Sequence, residues 1–135
     1  MQDYGRQIAH AALDIGAIKL NPAEPFTWAS GYRMPIYNDN RRFLFSAEHR
    51  GLIASGFEAM IDEQGINCEV VAGTSTAGIS PGTTLADRLG VPFIYIRDKP
   101  KDHGLRNQIE GIDAESDLEG RKVPVIEDLI STGGS

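Results

Sequence analysis

The sequence predicts an α/β fold in which helices flank a parallel sheet, with a small hood formed by the N-terminal segment. The main observation is a series of three short apolar runs, at residues 69–73, 91–97 and 122–127. A helix-length segment separates the first two runs, and a long polar stretch separates the last two. A second observation is size, because 135 residues suit one domain with one core. We therefore expect a single domain spanning residues 1–135.

The first third of the chain predicts the helix and hood, at about residues 1–45. Apolar residues recur at helical spacing over 3–20 and predict an amphipathic helix, which the prolines after Asn21 interrupt. Residues 26–37 are rich in aromatics and predict short extended pieces joined at Ser30-Gly31.

The core is expected at about residues 46–135. Ser46 is a suitable N-cap for a helix that ends near residue 63, before Gly65. The strand at 69–73, a helix at 80–90 and the strand at 91–97 follow, and a polar segment leads to the last strand at 122–127. Because parallel strands carry their ligands at their carboxyl ends, the loops after these strands are the candidate sites.

Composition excludes several classes of protein. The net charge of −6, from 13 basic and 19 acidic residues, argues against nucleic acid as a partner. Cys68 is the only cysteine, so no internal disulfide forms and a cytoplasmic location is expected. No apolar run has the length of a membrane span.

The loop after the first core strand is rich in hydroxyls and glycines. Its candidate anion-binding residues are Thr74, Ser75 and Thr76, because small residues let backbone amides approach a pyrophosphate closely. Taken alone, the segment is more typical of an ordinary strand-to-helix turn.

The loop after the last strand is the most informative segment. Glu127 and Asp128 can accept hydrogen bonds from ligand hydroxyls, and the Ser/Thr/Gly turn that follows can hold a phosphate. An acidic pair beside an anion-binding turn suits a ribose 5-phosphate. A buried strand followed by a polar turn is the alternative interpretation.

The segment 97–104 concentrates cations in an otherwise acidic chain. Arg97 follows a predicted strand, and His103 adds a titratable group beside a glycine. A lid that brings positive charge to a leaving pyrophosphate would have this composition, although a solvated charged surface would have it too.

Within residues 26–37, Arg33 and Tyr37 are candidate contacts to a flat ligand, whereas Phe26 and Trp28 are expected to cover the core. No His, Cys or Asp spacing is typical of a protein-held zinc, so any Mg²⁺ is expected to arrive with a pyrophosphate substrate.

With these motifs, the chain resembles the orotate phosphoribosyltransferases, a family of type I phosphoribosyltransferases. Residues 123–135 are similar to the phosphoribosyl pyrophosphate signature of the wider superfamily. Three more segments resemble the orotate branch of the family: Phe26-Thr-x-x-Ser-Gly with Pro35-x-Tyr37, Gly73-Thr-x-Thr-Ala-Gly, and Arg97-x-x-x-Lys-Asp-His-Gly104.

The resemblance implies a type I phosphoribosyltransferase-like fold and transfer of a phosphoribosyl group to orotate, with Mg²⁺ and a cytoplasmic homodimer whose subunits share active sites. It also implies roles for individual residues. The implied catalytic residues are Lys101, His103 and Asp128. The implied contacts to phosphoribosyl pyrophosphate are Arg97, Lys101, His103, Glu127, Asp128, Leu129, Ile130, Ser131, Thr132, Gly133, Gly134 and Ser135. Orotate would contact Ser131, Tyr37 and Arg33.

Two other functions remain open. One is a regulator of the same fold that binds phosphoribosyl pyrophosphate without turnover, and the other is a transferase for another nucleobase. The resemblance also implies that the C-terminal part of the fold is missing after residue 135. Pro124 is unexpected in a strand that the fold would make central, because proline donates no ladder hydrogen bond.

Overall fold

A computed structural model describes residues 2–99, 108–113 and 115–133. The chain comprises two units, Met1–Leu52 and Ile53–Ser135. The expectation of one domain with a hood and a core stays a prediction.

The first unit begins with helix α1 (Tyr4–Asp14), for which the Asp3 side chain accepts a hydrogen bond from the Arg6 backbone N–H at 2.9 Å. The predicted extension of this helix to residue 20 is wrong. Gly16 adopts a left-handed φ of 71°, and the chain then enters strand β1 (Ile18–Leu20). A glycine in this conformation ends a helix readily, so the residues after Gly16 are not helical although their apolar spacing fits a helix.

Two small antiparallel pairs follow in the same unit. Strands β2 (Phe26–Thr27) and β3 (Arg33–Met34) pair with each other, and β4 (Ile36–Asn38) pairs with β1. The turn between β2 and β3 contains Gly31 at a φ of 88°. The predicted extended pieces joined at Ser30-Gly31 are confirmed. A short 3₁₀ helix, Asn40–Leu44, follows β4.

Helix α2 (Ala47–Glu63) has the predicted limits. The Ser46 hydroxyl accepts from the His49 backbone N–H at 3.4 Å, and Gly65 ends the helix in a left-handed conformation. Met60, near the end of this helix, is 60% exposed.

The second unit contains a four-stranded sheet. Strand β5 (Val71–Thr74) is followed by helix α3 (Ile79–Leu89) and strand β6 (Phe93–Ile96), and β8 (Val125–Ile126) comes last. Both β6 and β8 are parallel to β5, as predicted. Strand β7 (Ile109–Glu110) is antiparallel to β6, and the polar segment did not predict it. The sheet order is β7-β6-β5-β8.

Side chains of the sheet pack into an apolar cluster on each face. Val71 packs with Leu85 of α3 and with Ile126, whereas Val70 and Ala72 pack with Ile94. A strand whose neighbouring residues enter opposite cores must be apolar throughout, which explains the unbroken apolar run at the start of β5. A short 3₁₀ helix, Glu115–Leu118, precedes β8.

Pro124 lies directly before β8. Among the described residues, β8 pairs only with β5, and the Pro124 carbonyl accepts from the Ala72 N–H at 3.0 Å. Pro124 thus stands at the start of the strand, a position where proline is tolerated, and it contributes to the ladder as an acceptor only. Within the described ranges, no helix is sufficiently long and apolar to cross a membrane.

Candidate ligand site at the carboxyl ends of the strands

Three predicted site loops leave one edge of the sheet. Thr74 lies opposite Ile96 in the ladder between β5 and β6, and Gly73 lies opposite Ile126 in the ladder between β5 and β8. The chain therefore leaves all three parallel strands at nearly the same level. This is the edge where parallel α/β sheets bind ligands.

The loops after β5 and β8 are joined at their bases. The Thr74 hydroxyl donates to the Ile126 carbonyl at 3.3 Å, directly before the acidic pair. The Ser75 backbone N–H donates to the Ile96 carbonyl at 2.8 Å, which ties the same loop to β6. Thr74 thus has a structural role beyond the predicted contact to pyrophosphate, and Ser75 and Thr76, joined by a cis peptide, follow it.

Two glycines make this close approach possible. A methyl group on Gly73 would lie 2.5 Å from the Gly78 carbonyl oxygen, and one on Gly78 would lie 2.8 Å from the Thr74 nitrogen and in collision with the Ile126 oxygen. The backbone of Gly78 is right-handed, with a φ of −77°. The glycine is therefore required for space and not for an unusual backbone angle.

The acidic pair begins immediately after β8, and both residues are half-buried. The Asp128 backbone N–H donates to the Glu127 carboxylate at 2.8 Å. Partial burial, followed by the hydrogen bond and the negative charge of Glu127, raises the pKa of Asp128 above its usual value. Two carboxylates held together in this way are stabilised by hydroxyl donors or a cation, which fits the predicted contact to ribose hydroxyls.

The residues after the acidic pair form an exposed turn. Ile130 is 79% exposed, and Gly133 adopts a left-handed φ of 78°. Leu129, Ser131 and Thr132 are also exposed. Ligand access to the turn is therefore open, and its predicted role as a phosphate cradle stays a prediction.

Arg97 follows β6 at the same edge. Its backbone N–H donates to the Gln108 carbonyl at 2.8 Å, and its Nη1 lies 3.5 Å from Oε1 of Glu110. Its Nε is buried and has no hydrogen-bond partner among the described residues. Because a guanidinium offers five donors in one plane, this arrangement leaves donor capacity for an oxyanion.

The predicted orotate contacts Arg33 and Tyr37 lie in the first unit, on β3 and β4. The rings of Tyr37 and Phe26 are 5.7 Å apart, and the Trp28 indole donates to the Ile36 carbonyl at 2.8 Å. Arg33 is exposed, and Tyr37 is 39% exposed. Their contacts to orotate stay predictions.

Four predicted site residues lie outside the described residues: Lys101, His103, Gly134 and Ser135. Two residues that matter to this edge were missed by sequence reasoning. Gly78 was noted only as part of a motif, and Glu110 only as part of the polar segment that follows the strand at 91–97. The short alternation Gln108-Ile109-Glu110 was the available signal for the strand that carries Glu110.

The sequence matches the phosphoribosyl transferase domain over residues 44–135. The chain belongs to the phosphoribosyltransferase family. The match includes all three loops at the sheet edge. The prediction of a type I phosphoribosyltransferase-like fold is confirmed.

Named relatives of this phosphoribosyltransferase chain are similar over nearly its whole length. It is 53% identical to the orotate phosphoribosyltransferase of Streptococcus agalactiae serotype Ia over 98% of the chain and 62% of that protein. It is 56% identical to that of Streptococcus thermophilus over 96% of the chain and 60% of that protein. The chain therefore spans about 60% of the length of these curated relatives.

A solved structure gives the same result for the fold. The UMP synthase of Leishmania donovani superposes with a TM-score of 0.71 and 27% identity, over 94% of this chain and 25% of that one. The resemblance to the orotate branch that the motifs indicated is confirmed by the relatives in sequence.

Proposed function

We propose that this protein transfers the 5-phosphoribosyl group of phosphoribosyl pyrophosphate to orotate, giving orotidine 5′-monophosphate and pyrophosphate in pyrimidine (UMP) biosynthesis. The observation that carries the proposal is the identity of 53% and 56% to two orotate phosphoribosyltransferases, extending through every loop of the candidate site. Under this proposal the protein is a glycosyltransferase that transfers a pentosyl group.

The reaction breaks the bond between ribosyl C1 and the pyrophosphate oxygen, forms a bond from C1 to N1 of orotate, and releases the N1 proton together with pyrophosphate. The half-buried carboxylates of Glu127 and Asp128 would hold the ribose hydroxyls. The turn at residues 131–135 would hold the 5-phosphate, with Ser131 also near orotate. Positive charge develops on the ribosyl group as the bond breaks, and the adjacent carboxylates are suited to stabilise it.

The leaving pyrophosphate requires cationic groups. Arg97 follows β6 at the edge of the sheet, and its side chain is 39% exposed. Lys101 and His103 follow Arg97 closely in the sequence and are proposed to complete the site, with Lys101 as the main catalytic cation. Little covalent chemistry is required of the protein, because positioning and electrostatics supply the catalysis.

We propose that Mg²⁺ enters as part of the substrate, bound to the pyrophosphate. The cation would offset charge on the donor, and the two carboxylates after β8 supply the hard oxygen groups that tolerate it nearby. The resemblance of residues 97–104 to the loop of the orotate branch further supports a homodimer with shared active sites. A cytoplasmic location follows from the proposed pathway.

The test uses the natural polypeptide that carries this sequence, with orotate, phosphoribosyl pyrophosphate and Mg²⁺. We expect the ultraviolet absorbance of orotate to decrease and pyrophosphate to be released in equal amount, only when the donor is present. A parallel panel replaces orotate with adenine, guanine, hypoxanthine or uracil. Activity with one of these in place of orotate, or donor binding without turnover of any base, would refute the proposal.

A further inference from the structure

Glu110 lies beside Arg97 because of the antiparallel register of β6 and β7. Tyr95 is opposite Glu110, and the Arg97 N–H bonds to the carbonyl of Gln108. Arg97 and Glu110 are thus diagonal neighbours on one face of the sheet. Long side chains at such positions reach each other across the strands, and here Nη1 and Oε1 are 3.5 Å apart.

The two partners are not equally free to move. The Glu110 side chain is 21% exposed and stands on a paired strand, whereas the Arg97 side chain is 39% exposed and follows the last residue of β6. The carboxylate is therefore the more constrained partner. A long arginine side chain loses considerable rotamer entropy when a ligand orders it, so a carboxylate that holds it beforehand reduces that cost.

We propose that Glu110 is a positioning residue that orients the Arg97 guanidinium toward the pyrophosphate of the donor. The inference rests on the proposed function, in which Arg97 contacts that pyrophosphate. Glu110 itself touches no substrate in this scheme. The carboxylate contacts the Nη1 side of the guanidinium, and the Arg97 side chain is still 39% exposed, so a ligand can reach it.

The Glu110 carboxylate has a second effect on donor binding, which opposes the positioning effect. A negative charge near the pyrophosphate also repels it directly, so removal of the charge could strengthen donor binding. Positioning acts through Arg97 and vanishes when Arg97 is absent, whereas repulsion through space persists. A double-mutant cycle with both residues distinguishes the two effects.

The chain offers a matched control. Arg88 Nη2 and Glu58 Oε2 are 2.5 Å apart, with side chains 38% and 25% exposed, and they join α3 to α2 away from the strand ends. The substitutions Glu110→Gln and Glu58→Gln thus remove the same charge from ion pairs of similar exposure. Steady-state kinetics and thermal unfolding are measured for both variants, for Glu110→Asp, and for Arg97→Ala with and without Glu110→Gln.

We expect Glu110→Gln to raise the KM for phosphoribosyl pyrophosphate about fivefold, the upper range for a partly exposed ion pair, with the KM for orotate unchanged. Glu110→Asp should restore part of the loss, and Glu58→Gln should leave both constants unchanged. In the Arg97→Ala background, Glu110→Gln should have no further effect.

An unchanged or lower donor KM in Glu110→Gln, or an equal effect in the Arg97→Ala background, would overturn the positioning role. Equal KM changes in Glu58→Gln would also overturn it, since they would trace the effect to general stability. Failure of the proposed function is distinguishable, because the wild-type protein would then show no turnover of orotate.

Discussion

Gly78 provides a direct test of how the loops at the sheet edge are held together. The substitution Gly78→Ala places a methyl group 2.7 Å from the Thr74 hydroxyl and 2.8 Å from the Thr74 nitrogen, and in collision with the Ile126 oxygen. Two of these three atoms belong to the backbone and cannot rotate away. Because the φ of Gly78 is −77°, alanine is otherwise compatible with the backbone, so the substitution isolates the steric effect.

The expected magnitude follows from the rigidity of those neighbours. Overpacking in a well-packed region costs about 1–3 kcal/mol, and contacts with backbone place Gly78→Ala at about 3 kcal/mol. For a protein of this size the melting temperature falls about 4 °C per kcal/mol, which gives a decrease of about 12 °C. Relief of the collision would displace the end of β8, so we also expect weaker donor binding by the residues that follow it.

The assay is urea and thermal unfolding followed by circular dichroism, with Gly51→Ala as the control. Gly51 lies within α2, and a methyl group built there meets nothing within 4 Å. Alanine at an open helical position is more favourable than glycine by about 1 kcal/mol. The same chemical change should therefore stabilise the protein at residue 51 and destabilise it at residue 78.

The reasoning would be refuted if Gly78→Ala unfolded within about 0.5 kcal/mol of the wild type, the range of an ordinary surface substitution. A loss of stability in both variants would equally contradict it, because it would indicate a general intolerance of alanine. Restored stability in a Gly78→Ala variant with a shortened Thr74 side chain would instead assign the clash to the hydroxyl.

Three further outcomes are expected. Thr74→Val should lower the free energy of unfolding by about 1 kcal/mol in urea titrations, because it removes the hydroxyl bond to Ile126, and Thr74→Ser should restore it. Asp128→Asn should abolish turnover. Its free energy of unfolding should nevertheless exceed that of the wild type once the pH rises through the raised pKa of Asp128. The wild type then ionises a carboxyl that burial and Glu127 disfavour, so equal melting temperatures across a pH series would contradict this sign. Lys101→Ala should lower kcat about 10²–10³-fold while calorimetry still detects donor binding, and an unchanged kcat would remove Lys101 from the mechanism.

Local patterns predicted much of the fold. The limits of α2 and α3 were predictable from single residues. Ser46 caps the start of α2 with its side chain, and Gly65 and Gly90 end the two helices because glycine readily adopts a left-handed conformation. The strand at β5 was predictable because both of its faces are buried and every residue must be apolar or small. The overextended first helix shows the limit of periodicity, since Gly16 overrides it.

The candidate site was predicted at the level of residue type and loop, and less so at the level of contacts. The acidic pair and the Ser/Thr/Gly turn after β8 indicated a candidate site because carboxylates accept from hydroxyls and small residues leave backbone N–H groups open to an anion. The second use of Thr74, as a donor to Ile126, depends on a partner 52 positions away in the chain. Such a partner has no signature in the residues around Thr74.

The sequence by itself determined the class of fold, the family resemblance and the segments that carry the site, because apolar periodicity, caps and motifs are properties of neighbouring residues. Only the tertiary structure decided that β7 returns antiparallel to β6 and that Pro124 serves β5 as an acceptor. It also decided that Glu110 stands beside Arg97. Each of these depends on the register between strands distant in the chain, which is set by how the whole sheet packs and not by any local pattern.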